Sequence, residues 1–218
     1  MINAFVNVIE SPSSRDLLDG RTEGRMLVEA LTLAEIPSAY NLVTDLETFH
    51  EAINVRLRAA AREHDKVPIL HFSMHGNEQG IQLTSGEFLL WQELRGLLLP
   101  ILRGTRGTLL ICMSSCVGDA GVKMAMNTDD EPSFWALVGN TQEASWADAA
   151  IAFSSFYHLF FKEYNINVCV ESMKVASGDH NFVYHLGEQT RLNWLKFFQE
   201  QGEAQVNTAI QGSDNNDG

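Results

Sequence analysis

The sequence predicts an α/β fold around a mostly parallel sheet of about six strands, and three observations carry that expectation. Strand-like apolar runs alternate with segments of helical periodicity along most of the chain. One run, Leu109-Leu110-Ile111-Cys112-Met113, is continuous in apolar residues, as a parallel strand covered on both faces must be, so helices are implied on both sides of the sheet. No internal repeat or interdomain linker interrupts the 218 residues, so one domain with edge elaborations is the simplest count.

The elements follow in order. Ala4 to Ile9 is a first strand, and Arg21 to Leu33 places Met26, Leu27, Ala30 and Leu31 at helical spacing. Ser38 to Val43 is a second strand. Thr44 and Glu47 have capping-box spacing, and Leu46, Phe49, Ile53 and Leu57 continue the helix behind them. Val67 to Ser73 is the third strand, with Pro68 at its start, where a missing donor is tolerated. After the polar stretch Gly76 to Gly80, a small hairpin outside the main sheet pairs Ile81–Leu83 with Glu87–Leu90 around Thr84-Ser85-Gly86. A crossover helix begins over Trp91 to Leu102, and Thr108 to Met113 is the fourth strand. Val117 to Met126 forms a short helix weakened by Gly118 and Gly121. The acidic link Asp129-Asp130-Glu131-Pro132 leads to a fifth strand, Ser133 to Val138. Ser145 and Asp148 cap a long helix whose Trp146, Phe153, Phe156, Tyr157 and Phe160 read as core packing. A helix over Ile166 to Ala176, a last strand over Asn181 to Leu186 and a closing helix over Leu192 to Phe198 complete a domain of residues 1–200. Residues 201–218 read as a polar, frayed tail.

Composition narrows the function. The 28 Asp and Glu against 15 Lys and Arg give a net charge of -13, and no basic cluster compensates, so nucleic-acid binding through phosphates is not expected. An apolar fraction of 45% marks a globular chain, large enough to need neither disulfides nor a structural metal. No run approaches the roughly 20 apolar residues of a bilayer span, and the first residues lack a basic region followed by a long apolar one, so a soluble, cytoplasmic protein is expected. Three cysteines, Cys112, Cys116 and Cys169, are an odd set that suits reducing surroundings. The segment after Ile9, ESPSSRD, has no closely spaced glycines to admit a pyrophosphate, and no cofactor is expected.

Two strand ends carry the chemistry. ILHFSMHGNEQG and LLICMSSCVGDAG each run from an apolar strand to a reactive side chain and then to glycine, and one crossover joins them. Adjacent parallel strands deliver their carboxyl ends to one edge, so His75 and Cys116, 41 residues apart, can face each other there. An imidazole or a helix N-terminus beside a thiol favours the thiolate, the form that attacks a carbonyl carbon. His75 would then protonate the departing amine, while the amides of Gly76 and Cys116 form an oxyanion hole. Taken singly, a cysteine after an apolar strand is ordinarily buried and inert, and a histidine before glycine is ordinarily a loop residue; the paired setting is what points to catalysis. A zinc site from His71, His75, Cys112 and Cys116 is the competing use of these residues. Ligands must converge at about 2.0–2.3 Å on one ion, whereas four strand residues advance roughly 13 Å, so His71 and Cys112 are read as packed beneath the site and no metal is expected.

On Met74-His75-Gly76 and Ser115-Cys116-Val117-Gly118, the chain resembles the caspase-like cysteine peptidases, the clan of caspases, metacaspases, gingipains and separase, especially bacterial CHAT-type domains. Gly86 to Leu94 looks like the hairpin and helix start between the two catalytic strands, and Phe156-Tyr157 resembles a pair that CHAT-type members carry; the likeness covers about residues 3 to 190. The resemblance implies a three-layer α/β/α sandwich, a His75-Cys116 dyad and peptide-bond hydrolysis through a thioester. It also implies a protein or peptide substrate, a regulatory or activating partner, and a bacterial defence or cell-death setting. Metacaspase-like members that favour basic residues place Asp directly before the catalytic Cys, where this chain has Ser115. Asp119, Asp129 and Asp130 are the candidate substrate-binding residues for a basic side chain, with a solvated loop as the plainer reading of the run. Two other functions stay open: a catalytically silent caspase-like adaptor, and a Cys-His acyl transferase or deamidase.

Overall fold

The computed structural model describes residues 2–129, 131 and 133–214, with side chains through residue 201. The chain opens with β1 (Ala4–Ser11), every residue of which is buried. A single short helix, α1 (Ser14–Leu18), and then α2 (Glu23–Leu33) lead to β2 (Ser38–Leu42). Next, α3 (Leu46–Glu51), a π-helical turn (Ala52–Arg56) and α4 (Leu57–His64) form one helical run back to β3 (Val67–Asn77). The hairpin β4 (Gly80–Gln82) and β5 (Phe88–Leu90) precedes α5 (Trp91–Thr105), which carries Pro100 in its interior. β6 (Leu110–Ser114), a 3₁₀ helix (Gly118–Ala125) and β7 (Ala136–Asn140) follow. α6 (Trp146–Phe160), α7 (Ile166–Ser177), β8 (Phe182–Leu186) and α8 (Gly187–Asp214) end the described chain.

The main sheet has the order β2-β1-β3-β6-β7-β8, parallel throughout except for β8, which runs antiparallel to β7. Strand alternation sends side chains to two separate apolar layers. On one face Phe5, Phe72 and Met113 meet Phe49, Ile53 and Leu98. On the other Val6, Val8 and Val138 meet Leu27, Phe153 and Met173. The architecture is a three-layer α/β/α sandwich, and the six main strands with an accessory hairpin are those the sequence predicts.

Several boundaries move for identifiable reasons. β3 continues past Ser73 to Asn77, because His75, Gly76 and Asn77 pair antiparallel with Gln82, Ile81 and Gly80. The helix after β2 is capped one residue later than Thr44: Asp45 accepts from the Thr48 amide at 2.8 Å, and the Thr48 hydroxyl meets the Asp45 amide in return. α1 has no counterpart in the sequence reading, since five residues are too few to show a period. The closing helix begins directly after β8 and continues through Asp214, where polar composition predicted a frayed tail from residue 201; Glu, Gln and Ala in that stretch are all good helix formers. Residues 215–218 of that expected tail lie outside the described residues. Among the described residues no helix is long and apolar enough to cross a membrane.

Phe153 is fully buried between the edges of His71 and Phe182. Phe153→Ala is expected to destabilise the domain by about 3–5 kcal/mol, read as a lower urea midpoint at an unchanged slope.

Candidate active site

The ladder between β3 and β6 sets the site. Leu70, His71, Phe72 and Ser73 stand opposite Ile111, Cys112, Met113 and Ser114, a constant offset of 41 positions. Counted past the last pair, the same offset runs from His75 to Cys116, so both residues lie beyond the same end of the ladder. His75 is still held in β3 by its pairing with Gln82, whereas Cys116 lies just beyond β6 on a turn. The motifs also touch: a Cβ added to Gly76 would stand 3.2 Å from the Ser115 hydroxyl and 3.1 Å from the Gly80 carbonyl, so only glycine fits there without displacement.

His75 shares its sheet face with His71 and lies edge-on to Trp146, the first residue of α6, at 5.3 Å between ring centroids. Its Nε2 is 3.0 Å from Asp16 Oδ2. Burial pushes the Asp16 carboxyl up, but hydrogen bonds from the Ser13 hydroxyl and His75 outweigh it and hold that carboxyl below the ordinary aspartate range. The Ser13 hydroxyl donates to Oδ2 at 2.5 Å and accepts from the Asp16 amide. An ionised carboxylate only accepts, so Nε2 carries the proton in a neutral His75, and Nδ1 keeps the free lone pair. With its side chain 40% exposed, the ring can reach a ligand outside the core.

Asp16 is itself fixed from both sides. Thr84, in the hairpin turn after His75, donates its hydroxyl to the Pro12 carbonyl at 2.6 Å and its amide to the Ser11 hydroxyl at 3.0 Å. At the start of α2, the Gly24 amide donates to Glu10 Oε1 at 2.8 Å, a close approach in which a Cβ on Gly24 would meet Val8 at 2.8 Å. The short segment bearing Asp16 therefore hangs between two anchors.

Cys116 is half-buried and is followed by Val117 at φ 52°, ψ 34°. A β-branched residue in the left-handed region stores on the order of 1–3 kcal/mol of strain, a feature that clusters at functional sites. The turn is clamped by the Val117 amide donating to the Gln142 carbonyl at 2.9 Å and the Gly118 amide donating to Ser115 at 3.1 Å. A Cβ on Gly118 would come within 2.7 Å of the Met113 carbonyl, so the chain can reverse there only with glycine. The helix expected behind Cys116 is a 3₁₀ helix that begins at Gly118.

The other two thiols are sealed. Cys112 and Cys169 are fully buried, and burial pushes the first up to about 12 and the second to about 11. His71 lies beneath the site, level with Cys112; its Nδ1 is 3.0 Å from the Tyr157 hydroxyl, and its Nε2 is 3.6 Å from Glu23. Beside them, burial raises the Glu10 carboxyl against the opposing effect of the Tyr40 hydroxyl, which donates to it at 2.6 Å.

His75 and Gly76 lie near the end of β3 and Cys116 just past the end of β6, with Gly76 against Ser115, while the acidic residues make contacts of their own. Asp119 belongs to the 3₁₀ helix, which packs on the sheet face opposite His75, and lies 3.9 Å from His185 Nε2. Burial raises its carboxyl, with His185 in opposition. Asp129 binds Arg95 at 2.7 Å and Glu131 binds Arg103, which ties that acidic run to α5. Asp130 lies outside the described residues. The sequence reading missed Asp16; its signal was Ser13 three residues before Asp16, a cap spacing directly after a strand.

No protein-family model and no curated protein sequence matches the chain. Among solved structures, the crystal structure of the Arg-specific cysteine proteinase gingipain R matches 81% of this chain with a TM-score of 0.52 at 12% identity. The complex of Porphyromonas gingivalis RgpB pro- and mature domains matches 82% with a TM-score of 0.51, also at 12% identity. The fold is caspase-like. This chain spans 42–43% of the length of those two chains. On this caspase-like sheet, His75 lies near the carboxyl end of β3 and Cys116 just beyond that of β6, with Asp16 contributed from α1 after β1.

Because the Asp16 carboxyl is depressed in the folded chain, its contribution to stability is present above the ordinary value of about 3.9 and is lost as pH falls through the lower native value. Asp16→Asn should therefore be less stable than wild type at pH 7, with the gap in urea midpoints closing as the pH falls through the lowered native value.

Proposed function

We propose that the chain is a cysteine peptidase in which Cys116 attacks the carbonyl carbon of a peptide bond and His75 moves the protons. The observation that carries this reading is the shared β3–β6 offset of His75 and Cys116, joined to the His75–Asp16 hydrogen bond. His75 Nδ1 takes the proton from Sγ as the C–S bond forms, and Asp16 steadies the resulting imidazolium through Nε2–H. The amides of Gly76 and Cys116 are assigned to the oxyanion. Nδ1–H then protonates the departing amine, the C–N bond breaks and a thioester remains. Water, deprotonated by the same nitrogen, attacks that thioester, releases the acyl product as a carboxylic acid and returns the thiol. Gingipain R, a cysteine proteinase by description, supports the class of chemistry.

Phe156-Tyr157, buried in α6 with the Tyr157 hydroxyl at His71, is the basis for a CHAT-type affiliation. Control by a protein partner draws on the pro-domain bound to RgpB, and a defence or cell-death pathway is the setting in which such control would serve. Three free thiols support a reducing, cytoplasmic setting. Asp119 and Asp129 are kept as contacts for a basic substrate side chain only after release from His185 and Arg95. A catalytically silent adaptor draws on a different observation: four cavities of about 360–510 Å³ all lie away from His75 and Cys116.

The test is cleavage of a mixed peptide library by the purified chain, with a mass analysis of any acyl adduct trapped on Cys116. Cys116→Ala and His75→Ala should abolish cleavage, and Asp16→Ala should lower kcat by about 10²–10⁴-fold with little change in KM. Cleavage undiminished in Cys116→Ala would refute the assignment. A Cys116 thiol no more reactive than free cysteine, with no cleavage, would favour the adaptor. A product that carries a new acceptor in place of a carboxylate would instead make the chain an acyl transferase.

A further inference from the structure

At the sheet edge opposite the dyad, α4 and α5 part to leave a cavity of about 370 Å³ beside the starts of β3 and β6. Its floor is apolar, with Leu57, Pro68 and Ile101 among the lining side chains. Its rim carries Arg58, Lys66 and Arg106, and no carboxylate lines it. In a chain of net charge -13 this is a local reversal of sign. Neither arginine has an ion-pair partner among the described residues, and Lys66 has only a 3.5 Å contact with the Asn3 amide oxygen.

Both walls of the cavity depart from regular helix where they line it. Ile53 and Asn54 belong to the π-helical turn Ala52–Arg56, and π turns concentrate at functional sites. Across from them, Pro100 interrupts the hydrogen bonding of α5. Helix ends account for two of the cations, since Lys66 and Arg106 follow the carboxyl ends of α4 and α5, where positive charge is favoured. They do not account for Arg58, which sits within the continuous run of the π turn and α4, far from a carboxyl end.

We propose that this cavity is a binding site for a small amphipathic anion, a phosphate or carboxylate head on a short apolar chain. The head would lie among Arg58, Lys66 and Arg106, and the chain would lie on the apolar floor. The size falls within the range of small-ligand pockets, and the three cations that line it can supply the charge-assisted hydrogen bonds that such a head needs. The eight residue steps from Val67 to His75 put roughly 26 Å of strand between this site and the dyad, so its occupancy is independent of the peptidase reading.

Calorimetric titration of the full chain with hexyl phosphate and, separately, hexanoate tests the proposal and distinguishes the two heads. At least one probe should saturate a single site with a Kd on the order of 0.1–1 mM and raise the melting temperature. Inorganic phosphate and hexanol should each bind at least about tenfold more weakly. The double variant Arg58→Gln, Arg106→Gln should weaken the preferred probe by about tenfold or more, since both side chains are exposed and neither is part of the core. Gly104→Phe provides a steric arm that leaves the charges in place, because a Cβ at Gly104 meets nothing within 4 Å and the residue lines the cavity. No saturable binding by either probe, binding unchanged in both variants, or equal binding of hexanol or inorganic phosphate would overturn the proposal.

Discussion

The parallel ladder between β3 and β6 is the constraint on which the site depends. Both strands are buried on both faces, so a slip of one residue would turn Phe72 and Met113 out of one apolar layer and His71 and Cys112 out of the other. A slip of two would keep the faces but displace one strand end by roughly 6.6 Å relative to the other. Core packing therefore fixes a relation between two side chains that lie outside the core. The hairpin extends this control, since it holds His75 in strand geometry beyond the ladder's last pair and binds the segment bearing Asp16 through Thr84.

The same burial that specifies the register also divides the chemistry of like groups. Three thiols are present, and two are sealed by apolar surroundings that disfavour their ionised form. Cys116 differs because the chain leaves β6 just before it, through a turn that only the glycines at 76 and 118 allow to pack so closely. The two histidines on β3 divide similarly. His71 is closed in by Tyr157, Phe153 and Glu23, whereas His75, four residues on, emerges beside Trp146.

Much of this arrangement is legible in sequence because it rests on periodicity. The continuous apolar run at 109–113 announces a doubly covered strand, and the glycines after His75 and Cys116 mark where the chain packs too closely for a side chain. What escapes has a different physical origin. Asp16 meets His75 across 59 positions from a helix too short to show a period. The extension of β3 depends on a partner strand and not on alternation, since His75-Gly76-Asn77 has none. Val117 takes a backbone conformation that sequence reading reserves for glycine or asparagine, so a strained turn reads as a helix start. Asp129 and Glu131 keep contact with solvent, and what composition does not reveal is that they also pair with Arg95 and Arg103 of α5.

The π turn at Ala52–Arg56 has a consequence for how this family of shapes can drift. Such a turn amounts to one residue inserted into an α-helix, and each residue of an α-helix advances the chain by about 100°. Deleting a single residue there would restore regular hydrogen bonding and leave Leu57 and Ala60 facing the sheet, because the five residues of a π turn cover about the rotation of four in an α-helix. The irregularity thus takes up an extra residue locally, and the packing downstream of it on that face does not depend on its being there.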